Sequence, residues 1–170
     1  MGCSNAQTVS IILNRKEILY DIENYAFVEG DIMKSGDTHT QHQVFDITQD
    51  GNVDRVNRVL DLAYSECVEI MYPHTSVPVY HHQSMDNEID GESDYVFNLR
   101  VPAGFSQTTT TFLTRLLHEY MVCRVLSDWL SITKPESWEN WRKKMNVTSD
   151  KIKSALNHRS IRLRRTQTPF

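Results

Sequence analysis

One long apolar segment, residues 105–132, constrains the fold of this chain more than any other feature of its sequence. Its apolar residues recur every three or four positions and form two adjacent stripes of an α-helix, which indicates neighbours on two sides. The stripes are Leu113, Leu116, Tyr120, Cys123, Ser127 and Leu130, and Leu117, Met121, Val125, Trp129 and Ile132. Four charged residues interrupt the segment, whereas a membrane span needs about 20 nearly uncharged residues. The segment therefore predicts the central helix of a soluble domain.

Two further helices are predicted before this segment. A first helix runs from a cap at Asn14 to about Met33, preceded by a short strand or extended lead-in from Thr8 to Leu13. A second helix follows Asp50 and ends before Pro73. Its seam, spaced by three and four residues, calls for a partner helix packed nearly parallel or antiparallel. The seam is Val53, Val56, Leu60, Ala63, Cys67 and Ile70. The intervening residues 38–48 are predicted to form a loop.

A last helix is predicted after the central one. Thr133 and Glu136 have the spacing of a capping box, which predicts a tight corner and a helical hairpin. The fold class is therefore mainly α, a bundle of about four helices with an inserted β-hairpin arm and an extended C-terminal tail. At 170 residues the chain suits one domain, with a body at 1–156 and a tail at 157–170.

The arm is predicted at about residues 77–101. Apolar and polar residues alternate from Tyr95 to Val101, which is the period of a strand. Residues 77–80 are the expected partner strand, and an acidic loop at 86–94 separates the two. Because an isolated hairpin is marginal in water, its apolar face is predicted to contact a neighbouring subunit. That face is Tyr95, Phe97, Leu99 and Val101.

The C-terminal tail is the most unusual charge feature. Residues 151–170 hold six basic and no acidic side chains, whereas the first 150 residues hold 12 basic and 22 acidic ones, a charge of −10. A solvated tail, docking on an acidic neighbour and contact with nucleic acid phosphates all fit this composition. In the docking hypothesis the partner-binding residues are Arg159, Ile161, Arg162, Leu163, Arg164, Arg165 and Phe170.

The sequence offers no clear catalytic or metal motif. The three cysteines have no CxxC spacing and are interpreted as reduced core thiols. His118 and Cys123 are five residues apart, which turns them roughly 140° from each other on a helix. Four histidines form two pairs that are close in sequence, at 39 and 42 and at 81 and 82. Neither pair has a spacing that preforms a metal site. We therefore expect a protein without catalytic activity, cofactor or metal.

Four stretches carry a family resemblance. ILYDIENYAFVEGD (18–31), VNRVLDLAYSECVE (56–69), HEYMVCRVLSDWL (118–130) and RLRRTQTPF (162–170) resemble uncharacterised proteins from structural gene clusters of Bacteroides tailed phages and prophages, including crAss-like phages. The order of helix, helix, β-arm, helical hairpin and tail is similar to that of head–tail connector proteins, adaptors that form a ring under the portal. The resemblance implies a ring, often of twelve copies, with no catalytic residues and a C-terminal segment inserted against the portal.

The expected function is therefore that of a structural virion protein, a ring-forming adaptor at the phage neck. Its expected partners are further copies of itself, the portal, and tail or other neck proteins, with DNA contact secondary and no membrane partner. The alternative is a small nucleic-acid-binding accessory or regulatory protein that acts through the basic tail. Native mass in solution and DNA binding at low and physiological salt separate the two functions.

Overall fold

The computed structural model describes residues 6–33, 38–75, 93–102 and 104–157. In chain order the elements are β1 (Ala6–Asn14), α1 (Arg15–Asp31), α2 (Thr38–Phe45), a 3-10 turn (Asp46–Thr48), α3 (Asp50–Ile70), β2 (Asp94–Pro102), α4 (Gln107–Thr133) and α5 (Trp138–Leu156). This part of the chain is mainly helical with a two-stranded antiparallel sheet, which confirms the predicted fold class. The tail after Asn157 lies outside the described residues.

The central helix α4 packs against most other elements. Twelve of its residues are buried, and between Leu116 and Leu130 only four positions keep substantial exposure. The two predicted stripes explain this burial, since α1, α3, α5 and β1 all contact the helix. Ile132 is the exception, because it is 61% exposed at the end of the helix. A single hydrophobic core joins the described helices and both strands.

The first and third helices form at their predicted places, and the third also follows its predicted seam. The Asn14 side chain accepts a hydrogen bond from the N–H of Lys16 at 2.9 Å, which caps α1 as expected. Along α1 one buried stripe faces the core, Ile18, Ile22, Ala26 and Gly30. Along α3 the predicted seam is buried at Val56, Leu60, Ala63 and Cys67. Both helices therefore pack through one face and leave the opposite face to solvent.

The sheet corrects the predicted pairing of the arm. β2 pairs along its whole length with β1, in a register that joins Ala6 to Pro102 and Asn14 to Asp94. The expected partner strand at 77–80 lies outside the described residues. β1 takes this role because Ile11 and Leu13 lie on one face of the strand and are buried, while Ile12 between them points outward and is exposed. The lead-in before α1 is thus a full nine-residue strand.

Two local predictions were wrong. Residues 38–48 form α2 and the 3-10 turn instead of a loop, and Val44 and Ile47 there are fully buried. At the corner after α4, the Thr133 hydroxyl donates to the carbonyl of Trp129 at 3.0 Å, so Thr133 completes α4 instead of capping α5. The last helix begins only at Trp138, without a side-chain cap.

The burial of α3 leads to a stability prediction with an internal control. Leu60 is fully buried, whereas Leu62 on the same helix is 49% exposed. Leu60→Ala should lower the free energy of unfolding by roughly 2–5 kcal/mol, because it removes buried apolar surface and leaves a cavity. Leu62→Ala should cost less than about 1 kcal/mol. Denaturant titration of both variants checks this, and equal losses would show that α3 does not pack through Leu60.

The close approach of α2 to α1 leads to a second prediction. A Cβ at Gly30 would lie 2.3 Å from the Phe45 ring, whereas a Cβ at Gly51 would have nothing within 4 Å. Alanine normally favours a helix over glycine by about 1 kcal/mol. Gly30→Ala should nevertheless lower the melting temperature because Phe45 must move, while Gly51→Ala should leave it unchanged or raise it. A stabilised Gly30→Ala variant would contradict the packing of α2 on α1.

Candidate interaction surfaces

The residues predicted to bind a neighbour through the arm lie in the core. Tyr95, Phe97, Leu99 and Val101 are each at most 1% exposed. The prediction that they contact a partner is therefore wrong, because the same alternation that marks an apolar strand face is satisfied within the chain. The Tyr95 hydroxyl donates to Asp61 at 3.0 Å, and the Tyr64 ring lies 5.5 Å from the Tyr95 ring and 4.8 Å from the Phe97 ring. The partner-binding residues predicted in the tail lie outside the described residues.

The four partly exposed polar residues of α4 between Leu116 and Leu130 all pair with neighbouring helices. His118 lies 2.7 Å from Asp21 of α1, and Glu119 pairs with Lys144 of α5. The other two face α3, where Arg124 binds Glu66 at 3.2 Å and Asp128 binds Arg55 at 3.0 Å. These pairs fix the rotation of the central helix against three neighbours. Sequence reasoning found the charged positions but did not find their partners.

A tyrosine extends the contact between α3 and α4. The Tyr120 hydroxyl donates to Glu66 at 2.9 Å, beside the Arg124 guanidinium that binds the same carboxylate. Burial raises the pKa of Tyr120, and the hydrogen bond to Glu66 raises it further. The phenol is thus held as a neutral donor. This arrangement stabilises the packing of the two helices and offers no general base.

A second polar cluster fastens the corner after α4 to the end of α1. Lys134 donates to the carboxylate and to the backbone carbonyl of Glu29, both at 2.8 Å, and the Trp141 indole donates to the same carboxylate at 3.0 Å. Burial alone would raise the pKa of Glu29. The hydrogen bonds from Lys134, Trp141 and Ser137 outweigh burial and lower it.

The cysteines of the core are unreactive thiols. Burial raises the pKa of Cys67, and burial raises the pKa of Cys123 to about 12. Cys123 donates to Glu119 at 3.9 Å, while His118 binds Asp21, so the two do not form a nucleophile–base pair. Neither thiol is therefore present as a thiolate near neutral pH.

The described ranges contain neither a metal-binding cluster nor a membrane-spanning helix. Within residues 6–33, 38–75, 93–102 and 104–157, no three histidine, cysteine or acidic side chains come together to hold a metal ion. In the same ranges no helix combines the length and the apolar character that a membrane crossing requires.

Charged residues are distributed unevenly between the helices of the body. α1 and α3 each carry five acidic and two basic residues, whereas α5 carries five basic and two acidic ones. On α1 Glu17 and Glu23 are exposed, and on α5 Lys151 and Lys153 are exposed. The body is thus divided by helix into acidic and basic elements, a pattern that the net charge of the whole chain conceals.

Large apolar side chains are exposed near the end of α1. Phe27, Val28 and Ile32 are each more than half exposed, and the Phe27 ring stacks on Phe45 of α2 at 5.2 Å. Ile32 is exposed because α1 ends at Asp31 and Ile32 is its C-cap residue. These side chains form no part of the sequence-derived site. In the sequence they could have been found because α1 has more apolar residues than one face of a helix can bury.

A shallow groove lies between the start of α4 and the end of α5. It is lined by Thr108, Thr109, Phe112, Lys151, Ser154 and Ala155. Phe112 is 48% exposed there. The groove marks the place where α5 ends and the basic tail begins.

No family model, curated protein or solved structure matches this chain. The candidate surfaces therefore stand on the geometry and charge of the chain itself.

The Glu29 cluster leads to a pH prediction. Because hydrogen bonds hold the folded pKa of Glu29 below its unfolded value of about 4.3, its ionised form stabilises the fold above that pH. This contribution is lost as the pH falls through the folded pKa. Glu29→Gln should therefore lower stability at pH 7 and reduce the further loss between pH 7 and pH 3.

Denaturant titrations across that range check the Glu29 prediction. Glu23→Gln is the matched control, because Glu23 is exposed on the same helix and its side chain makes no hydrogen bond or ion pair within the described part of the chain. It should keep the pH dependence of the wild type. A Glu29→Gln variant with wild-type pH dependence would contradict the role given to the cluster.

Proposed function

We propose that this protein is a structural virion component, a ring-forming head–tail connector between a phage portal and the tail. The observation that carries the proposal is the segregation of charge between helices, acidic on α1 and α3 and basic on α5. A surface with separate acidic and basic elements is complementary to another copy of itself in a head-to-tail arrangement. Such a heterologous contact closes into a ring when the rotation between copies divides a full turn.

Exposed apolar side chains support a protein partner. Specific interfaces combine an apolar centre with a polar rim, and charged pairs mainly set orientation and the rate of association. Phe27, Val28 and Ile32 supply apolar surface on acidic α1, next to exposed carboxylates. The same helix therefore carries both components of an interface.

The resemblance to connectors supplies the setting. It implies a ring, often of twelve copies, below the portal, with the tail at 157–170 inserted against the portal and with tail or other neck proteins on the far side. The residues proposed for that contact are Arg159, Ile161, Arg162, Leu163, Arg164, Arg165 and Phe170. In this proposal the protein has no catalytic activity and no cofactor, and it resides in the virion.

One observation favours a second function, binding of nucleic acid. The exposed Lys151 and Lys153 at the end of α5 continue directly into the arginine-rich tail, which makes a basic segment of 20 residues without a carboxylate. Such a segment binds phosphates in a salt-dependent manner. The acidic residues of α1 and α3 oppose this function, because they repel a polyanion from most of the body.

Assembly in solution tests the proposal. The native mass of the full chain should be that of a closed oligomer at low micromolar concentration, and raising the salt concentration should weaken it. Lys151→Glu/Lys153→Glu should raise the concentration needed for assembly by more than about tenfold, because it places carboxylates against the acidic helices of the next copy. Lys151→Arg/Lys153→Arg keeps both charges and should assemble normally.

A charge exchange sharpens this test. Glu17→Lys/Glu23→Lys should also impair assembly, and mixing it with Lys151→Glu/Lys153→Glu should restore mixed oligomers if these helices face each other. A monomeric wild type that binds DNA tightly at low salt, and loses this binding with the glutamate variant, would favour the nucleic-acid function instead.

A further inference from the structure

The sheet has an outer edge without a partner in the part of the chain that the structure describes. The sheet contains only β1 and β2, so each strand uses one edge for the other. The outer edge of β2 is partly occupied. Arg100 donates its N–H to the carbonyl of His74 at 2.7 Å, and the carbonyl of Val96 accepts the Tyr64 hydroxyl at 2.8 Å.

These two contacts fix the direction of the backbone groups on β1. In an antiparallel pair of strands, the backbone N–H and C=O groups of two opposite residues either all point toward the partner strand or all point away from it. The register places Thr8 opposite Arg100 and Ile12 opposite Val96. Thr8, Ser10 and Ile12 therefore direct their backbone groups outward, away from β2.

The composition of β1 leaves this edge unprotected. Proteins usually protect an exposed edge with charged residues, proline, a bulge or a short strand. β1 is nine residues long and contains neither a charged residue nor a proline. Ile12 on its outer face is 61% exposed, opposite the partly exposed Val96. An edge of this kind is suited to accept a further strand.

The C-terminal tail has the sequence of such a strand. Ile161 and Leu163 alternate with Arg162 and Arg164, and this strand period ends at Arg165, which would fall on the same face as Ile161 and Leu163. Beside β1, Ile161 and Leu163 would extend the inner apolar face, and Arg162 and Arg164 would extend the outer polar face. Because β1 is uncharged, the arginines meet no like charge on the neighbouring strand.

The tail also begins at the correct end of the molecule. α5 ends beside the start of α4, since both line the groove that contains Thr108 and Ala155. The start of α4 follows the end of β2, where Pro102 pairs with Ala6 of β1. Residues 158 and 159 link Asn157 to the strand segment of the tail and span roughly 10 Å when extended, so a strand contact requires the β1 edge of the next copy to lie that close to the end of α5.

We propose that residues 160–164 of one copy add as a short third strand to the outer edge of β1 in the next copy. This inference rests on the proposed function, because it names the contact that links neighbouring subunits of the ring. Backbone hydrogen bonds supply the affinity, and the alternation of Ile161 and Leu163 sets the register.

The central test uses the full chain with two substitutions at one position. Ser10→Pro removes the outward N–H, and proline is tolerated at an edge where that N–H has no partner. Ser10→Val is the matched control, because both variants lose the hydrogen bond from the Ser10 hydroxyl to Asn98 and only proline loses the N–H. Ser10→Pro should raise the concentration needed for assembly by more than about tenfold, while Ser10→Val stays within about threefold of wild type.

The donor strand is tested in the same way. Ile161→Asp/Leu163→Asp should prevent assembly, and Arg162→Gln/Arg164→Gln should retain it if the tail docks as a strand and not by charge alone. Mixing the Ser10→Pro chain with the Ile161→Asp/Leu163→Asp chain leaves one competent edge and one competent tail. The mixture should give a 1:1 dimer in native mass measurements.

Hydrogen exchange locates the contact. In the wild-type assembly the outward amides of Thr8, Ser10 and Ile12 should be protected, and in the Ile161→Asp/Leu163→Asp variant they should exchange quickly. Normal assembly of Ser10→Pro with a folded circular dichroism spectrum would overturn the inference and leave the ring proposal standing. Protected amides in the tail variant would overturn it as well, since another segment would then occupy the edge. A wild-type monomer with protected amides that open in the tail variant would show docking within one chain and contradict both proposals.

Discussion

The burial of α4 is the constraint on which the rest of the structure depends. A helix that is buried on most of its circumference has almost no face for solvent, so each polar residue on it must find a partner in a neighbouring element. His118, Glu119, Arg124 and Asp128 meet this requirement with partners on α1, α5 and α3. Hydrophobic burial thus draws the neighbouring elements around α4, and these pairs restrict how α1, α3 and α5 can slide or rotate along it.

The sequence predicts the parts of this fold that depend on local patterns, and it fails where residues far apart in the chain interact. Periodicity records which face of a helix is apolar, so α1, α3, α4 and α5 were found close to their true positions. α2 was missed because eight residues show barely two turns of a pattern, and the helix packs through long-range contacts such as the approach of Phe45 to Gly30. Alternation identified β2 as a strand, but it carries no information about the partner, which lies some 80 residues earlier.

The candidate surfaces were less predictable for the same reason. An apolar strand face looks alike whether a neighbouring subunit or the chain's own core covers it, and the core covers Tyr95, Phe97, Leu99 and Val101. Charges in the sequence likewise do not show which of them are used internally. Glu29 and Glu66 are engaged between helices, while Glu17 and Glu23 on α1 remain exposed. Only the three-dimensional arrangement separates charges that hold the fold from charges available to a partner.

The two proposed features of assembly have different physical roles. Exposed ion pairs are each worth about 0–1 kcal/mol, so the acidic and basic helices orient copies and speed their encounter without holding them together. A strand added at an edge makes several backbone hydrogen bonds at once and places alternate side chains against the sheet, which supplies persistence and register. β1 has no charge of its own to repel an approaching strand. The charged helices thus select the orientation in which a tail reaches the edge of the next copy. The added strand then stabilises that orientation.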